Sequence, residues 1–137
     1  MEERRARLWV IEDDEKLGRL VRRMLGDEHD VVLFTRAQEA LDRITAGESF
    51  DLVLCDLKLP GVSGQLFHER VGVLAPERVA RIVFITGGPC TEGDGAFLER
   101  PDITHIRKPF DSLDSLRADV REHLRRAGGS DASDGTR

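Results

Sequence analysis

Phe50-Asp51-Leu52-Val53-Leu54-Cys55-Asp56-Leu57-Lys58-Leu59-Pro60-Gly61 is an apolar run that ends on a carboxylate and passes directly into a Pro-Gly turn. Four consecutive apolar residues, 52–55, fit a strand covered on both faces, as strands of parallel sheets are. Asp56 therefore closes a buried strand where the chain meets solvent, which holds the carboxylate rigidly and leaves it accessible. Other segments end the same way: Leu8-Trp9-Val10-Ile11 runs into Glu12-Asp13-Asp14, Ile82-Val83-Phe84-Ile85 into Thr86, and Ile103-Thr104-His105-Ile106 toward Lys108-Pro109. In a parallel sheet these strand ends share one edge, the edge where open α/β folds place their sites.

Helix-like segments separate the strands. Leu17, Leu20, Val21, Met24 and Leu25 recur at helical spacing and stop at Gly26. Val31 to Phe34 reads as the second strand. Thr35 and Gln38 have capping-box spacing ahead of Ala37, Ala40, Leu41 and Ile44, a face that stops near Gly47. A further helix is predicted from about Gln65 to Leu74, ending before Pro76, and a fourth strand from Val79 to Ile85. The stretch Gly87 to Gly95 carries four glycines and a proline, so any helix there is expected to be short, from Ala96 to Arg100. After the strand Ile103 to Ile106, Asp111 is placed to cap a last helix with Leu113, Leu116, Val120 and Leu124 facing the sheet. The polar segment from Gly128 onward has no apolar content except alanine and reads as disordered.

Strands alternating with helices over short connections specify an α/β fold, a doubly wound five-stranded parallel sheet with helices on both faces. The flavodoxin-like strand order 2-1-3-4-5 puts its ligand site between strands 1 and 3, so Glu12-Asp13 and Asp56 become neighbours despite their separation in sequence. Three consecutive acids follow strand 1; counting back from Leu17 assigns Glu12 and Asp13 to the site and Asp14 to the helix start. Converging carboxylates repel one another and call for a cation, and an all-oxygen donor set with room for water and phosphate oxygens suits Mg²⁺. Lys108 adds fixed positive charge and Thr86 a hydroxyl. With the cation present, Asp56 is placed to take up a phosphoryl group. Each element has a plainer reading alone: acidic runs favour helix N-termini, and Thr-Gly-Gly and Lys-Pro are ordinary turn chemistry. Their joint placement on one edge outweighs those readings.

The chain has 137 residues, 39 % hydrophobic and 34 % charged, with a net charge of −5. That bounds it to one domain and argues against nucleic-acid or membrane-surface binding. No signal-peptide core or membrane-span run is present, so cytoplasmic residence is expected. Cys55 and Cys90 make neither a disulfide framework nor a metal set, and Cys55 reads as a small hydrophobe within a strand. His29, His68 and His123 lack metal-site spacing and read as exposed. Trp9 and Met24 read as core, Arg22-Arg23 and Arg125-Arg126 as solvated helix faces.

Taken in order, Val10-Ile11-Glu12-Asp13-Asp14, Leu54 to Gly64, Phe84-Ile85-Thr86-Gly87-Gly88 and Lys108-Pro109-Phe110 resemble the receiver domains of two-component response regulators across residues 7–126. The resemblance implies an N-terminal extension at 1–6, a receiver domain at 7–126 and a disordered tail or linker at 127–137. It implies that Asp56 is the phosphoacceptor, that Glu12 and Asp13 are the acidic pair with Asp13 the more direct Mg²⁺ ligand, and that the Lys58 backbone carbonyl completes the protein ligands. Thr86 would bond a phosphate oxygen, and Lys108 would pair with Asp56 and then its phosphate. The implied donor is a histidine kinase or histidine phosphotransfer protein. The implied output is a protein partner at the face of the fourth helix, fifth strand and fifth helix; a homodimer is left open. The chain would be a stand-alone receiver or the receiver of a hybrid histidine kinase, without a DNA-binding output domain, and a phosphoacceptor rather than a conventional enzyme.

The chain departs from that pattern twice. His105 stands three residues before Lys108, where the family commonly has the Tyr or Phe that follows Thr86 inward; it reads either as a switch residue or as an exposed strand residue. The glycine-rich stretch falls on the output face, which is then either remodelled for one partner or ordered on binding. Other functions fare worse. An interaction module that works without phosphorylation would be expected to lack an acid, the Thr or the Lys. A phosphatase with an aspartate nucleophile needs a second Asp where Lys58 stands, and a flavin carrier needs a phosphate-cradling loop where the acids are.

Overall fold

The apolar runs 8–11, 52–55 and 82–85 are buried throughout because helices cover both faces of the sheet they form. In the computed structural model, which describes residues 5–87, 91–107 and 113–135, the strands are β1 (Arg7–Ile11), β2 (Asp30–Phe34), β3 (Leu52–Asp56), β4 (Ile82–Thr86) and β5 (Thr104–Arg107). All pair in parallel, in the order β2-β1-β3-β4-β5. This is the predicted doubly wound α/β sheet with strand order 2-1-3-4-5.

Alternation along the strands divides the core. Trp9, Ile11, Val53, Cys55, Ile82 and Phe84 face α2 (Ala37–Thr45), α3 (Gly64–Leu74) and α4 (Glu92–Leu98), meeting Ala40, Leu41, Phe67, Val71 and Phe97. Leu8, Val10, Leu52, Leu54, Val83 and Ile85 face α1 (Glu15–Leu25) and α5 (Leu113–Gly135), meeting Val21, Leu25, Leu116 and Val120. Arg117 ties α5 to the end of α1, with Nε donating to the Met24 carbonyl at 3.0 Å and Nη2 pairing with Asp27 at 2.9 Å. Arg121 pairs with Glu28 beside it. Among the described residues no helix is long and apolar enough to cross a membrane.

Several local expectations change. Thr35 does not cap α2: the helix begins two residues later, so Gln38 no longer sits at the capping-box position and donates instead to Asp42 at 2.9 Å. Val79 is not in a strand. Residues Pro76–Arg81 form a 3-10 turn, with Arg78 and Arg81 donating to the carbonyls of Phe50 and Asp51 at 2.9 and 3.3 Å, so β4 starts only at Ile82. The helix predicted at 96–100 lies at 92–98, because Thr91 and Asp94 close a reciprocal capping box that outweighs Gly93 and Gly95. His29 and His68 are buried, not exposed. His29 Nδ1 accepts from the Ala6 amide at 3.2 Å where β1 and β2 begin, and His68 packs beside Phe84 and Phe97. Residues 5 and 6, read as extension, are tied in by the Arg5 guanidinium, which bonds Asp30 and the carbonyls of Gly26 and His29. α5 continues to Gly135 through the segment read as a disordered tail; once a helix is anchored, each added residue contributes a hydrogen bond without new nucleation. The predicted Asp111 cap lies outside the described residues.

Candidate functional site

The register of the sheet assembles the acids. Ile11 pairs with Cys55, so Glu12 and Asp56, one residue further along each strand, stand side by side at the C-terminal edge. Asp56 pairs with Ile85, which puts Thr86 one step beyond it on the next strand. One carboxylate oxygen from each of Glu12, Asp13 and Asp56 lies within 4.8 Å of the others. Glu12 and Thr86 are buried, Asp13 is exposed, and Asp56 is 9 % exposed.

Each acid is oriented by its local backbone. Asp14 is the N-cap of α1, its Oδ1 accepting from the amides of Lys16 at 3.0 Å and Leu17 at 3.2 Å, as its assignment to the helix start predicts. With Asp14 occupied there, Glu12 and Asp13 are left to the cluster. Glu12 Oε2 also accepts from the Asp14 amide at 3.2 Å, which fixes its direction. After Asp56 the chain turns sharply, and the Gly64 amide donates back to the Leu57 carbonyl at 2.9 Å. A Cβ at Gly64 would lie 2.7 Å from the Asp56 carbonyl oxygen and 2.8 Å from Leu57 Cα, so only glycine lets α3 approach the phosphoacceptor candidate this closely. Ser63 caps α3 through Leu66 at 3.2 Å.

The cluster leaves its mark on the chemistry beneath it. Burial first, then the charges of Asp56 and Glu12, push the Cys55 thiol well above its usual range, so this cysteine is an inert core residue. Three carboxylates this close, one buried and one nearly so, repel unless a cation joins them. The donors are all hard oxygens, and the exposed Asp13 opens the cluster to water that can complete a shell. That set fits Mg²⁺ and suits no thiolate- or imidazole-seeking metal.

The structure brings Glu12, Asp13, Asp56 and Thr86 to one edge. His105 pairs with Phe84 on the outermost strand and is exposed. Lys58 follows Asp56 by two residues; its side chain is half-exposed and its ammonium lies 4.0 Å from Asp94 Oδ2. Lys108 lies outside the described residues. Asp94 and Gln65, which also meet at 3.2 Å, are neighbours of the site that sequence reasoning missed. The Thr-x-x-Asp spacing at 91–94 was the available signal.

The family model for the response regulator receiver domain matches residues 8–121. The response regulator ArlR of Staphylococcus haemolyticus is 29 % identical over 126 residues, covering 91 % of this chain and 55 % of that protein. The response regulator protein PmrA of Pseudomonas aeruginosa is 32 % identical over 128 residues, covering 90 % and 54 %. The chain thus spans about half the length of these curated relatives. Among solved structures, a CheY-like response regulator receiver domain protein from Methanospirillum hungatei superposes with a TM-score of 0.79 at 23 % identity, covering 93 % of this chain and 99 % of that one. NtrX from Brucella abortus superposes at 0.81 and 24 % identity, covering 98 % of this chain and 30 % of that one. These structural likenesses show the fold, and with the match across residues 8–121 the chain belongs to the response regulator receiver domain family.

Proposed function

We propose that this receiver domain accepts a phosphoryl group on Asp56 from a phosphohistidine of a histidine kinase or histidine phosphotransfer protein. The observation that carries the reading is the meeting of Glu12, Asp13 and Asp56 carboxylates within 4.8 Å at the sheet edge, beside Thr86. In the transfer, an Asp56 carboxylate oxygen forms the new bond to phosphorus as the phosphorus–nitrogen bond breaks, and the imidazole keeps the electron pair and takes a proton. Bound Mg²⁺, held by Glu12, Asp13, Asp56 and the Lys58 carbonyl, would supply neutralisation of the charge on the transferred group.

The remaining work belongs to the chain. The strand end and the Gly64 contact hold Asp56 for in-line attack, and such positioning is most of what phosphoryl transfer needs from a protein. On this reading the Thr86 hydroxyl bonds a phosphoryl oxygen, and Lys108, which lies outside the described residues, pairs with the phosphate. Drawing Thr86 inward gives the differential contact that a two-state output face of α4, β5 and α5 requires, with His105 on that face as the second switch residue. On this reading residues 7–126 form the signalling module, working in the cytoplasm against a protein partner.

Intact mass after incubation with acetyl phosphate and Mg²⁺ tests the reading. One phosphoryl adduct is expected, absent in Asp56→Asn and absent with chelator. An unmodified wild type would refute it and favour a receiver-like module that acts without phosphorylation; an adduct that survives Asp56→Asn would refute the assignment of the phosphoacceptor to Asp56.

A further inference from the structure

Asp94 joins α4 to both the loop after Asp56 and α3. Its side chain is 17 % exposed and held on three sides: Oδ2 accepts from the Thr91 amide at 3.2 Å, Oδ1 from Gln65 Nε2 at 3.2 Å, and Lys58 Nζ lies 4.0 Å from Oδ2. Its own amide donates to Thr91 Oγ1 at 3.0 Å. The Lys58 side chain, by contrast, is 51 % exposed and makes this contact at the limit of ion-pair distance. A half-exposed pair at that range is weak and exchangeable, and lysine carries its charge on a flexible stem. Of the two partners, Lys58 is the one that can leave.

α4 is built to respond. It has seven residues, two of them glycine, and neither glycine is required by crowding: a Cβ at Gly95 meets nothing within 4 Å, and one at Gly93 meets only Thr91 Oγ1 at 3.8 Å. The helix is anchored near its C-terminus by the buried Phe97, which packs against Phe84 and His68 at ring separations of 5.3 and 5.7 Å. Near its N-terminus the anchor is Asp94. A short, glycine-weakened helix held at its two ends changes its opening equilibrium when one end is released.

We propose that Asp94 is a positioning residue for the reaction at Asp56: it keeps the Lys58 ammonium on α4 in the unmodified protein and yields it to the phosphoryl group once Asp56 is modified. The proposal rests on the phosphoacceptor reading of Asp56. A phosphoryl group carries about −1.5 to −2 charges, against one on Asp94, so the ammonium of Lys58 is redistributed toward it. α4 then loses its charged tether and keeps Gln65 and its capping box. Because coupling is reciprocal, a partner that grips α4 changes how much of Lys58 is available to the phosphate, and so its lifetime.

The test is amide hydrogen exchange of α4 in the full chain, with and without acetyl phosphate and Mg²⁺, alongside the rate at which intact mass returns to the unmodified value. In wild type, α4 exchange is expected to rise about two- to fivefold on modification, the range of a weak ion pair. Lys58→Gln, which caps nothing, should show that rise already when unmodified and no more when modified. Lys58→Gln and Asp94→Asn should shift the rate of phosphate loss in opposite directions, since one removes the ammonium and the other frees it for the phosphate. Asp94→Asn should change nothing further in the Lys58→Gln background, and Asp94→Glu should restore wild-type behaviour. Wild-type α4 exchange in unmodified Lys58→Gln, or a modified wild type whose α4 is unchanged, would overturn the proposal while leaving the phosphoacceptor reading intact. A wild type that takes no adduct overturns the phosphoacceptor reading and this proposal with it.

Discussion

Replacing Gly64 with alanine tests how tightly the phosphoacceptor loop is built. The new Cβ would lie 2.7 Å from the Asp56 carbonyl oxygen, 2.8 Å from Leu57 Cα and 3.0 Å from the Leu57 carbonyl oxygen. All three are backbone atoms, so nothing soft can yield; either α3 backs away or the Asp56–Leu57 backbone shifts. Overpacking of this kind costs about 1–3 kcal/mol, and the alanine's helix preference returns at most about 1. The net loss should be about 1–2 kcal/mol, a fall in melting temperature of roughly 3–10 °C for a domain of this size. Since the shift falls on the residue proposed to be phosphorylated, modification by acetyl phosphate should slow by about tenfold or more. Two other glycines serve as controls. At Gly95 a Cβ meets nothing within 4 Å, so Gly95→Ala should stabilise by about 0.5–1 kcal/mol. At Gly18 the obstructing atom is Leu33 Cδ1 at 2.8 Å, the end of a side chain that can rotate. Gly18→Ala should therefore stay within about 0.5 kcal/mol of wild type, helix gain offsetting the repacking. Urea unfolding followed by Trp9, the only tryptophan and packed between Phe34 and Phe50, reads all three. Wild-type stability together with a wild-type modification rate in Gly64→Ala would refute the close-approach argument.

Asp13→Asn should raise the melting temperature without metal, by relieving repulsion in the cluster, and remove the Mg²⁺-dependent gain, which for wild type is about 2.7 kcal/mol at a hundredfold excess over Kd. A thermal-shift titration in which wild type ignores Mg²⁺ would defeat the metal assignment. Burial pushes the His68 imidazole below its ordinary value of 6.5, with the Arg100 charge adding to the effect. The unfolded chain therefore binds more protons than the native one as pH falls through 6.5, and this stability is whole above that value and lost below it. Urea midpoints at pH 5 and 7.5 should differ less in His68→Leu than in wild type; equal differences would contradict the sign. In a Cys90→Ser background, Cys55 should react with iodoacetamide only as fast as the protein opens, and rapid labelling of the native state would show that the thiol is not held up by burial and its acidic neighbours.

The strand order was readable from the chain because apolar runs of strand length alternate with helical periodicities, and right-handed crossovers leave few ways to connect them. The acids were readable for the same reason. Once β1 and β3 are neighbours, Glu12 and Asp56 must meet, and Asp14 declares itself a cap by its distance from Leu17. Helix ends were less legible: glycine content hid α4, although Thr91 and Asp94 stood at capping spacing, and Thr35 looked like a cap that the packing of Ala37, Ala40 and Leu41 did not use. What no reading of one chain segment supplies is which distant groups touch. The burial of His68 between Phe84 and Phe97, the backbone pressed against Gly64, and the Lys58–Asp94 contact join residues from different elements. Propensity and periodicity are properties of neighbours in sequence, and they set the elements and the sheet edge that carries the acids. Distances of a few ångströms between elements are set by how all the side chains pack at once, and only the tertiary structure decided those.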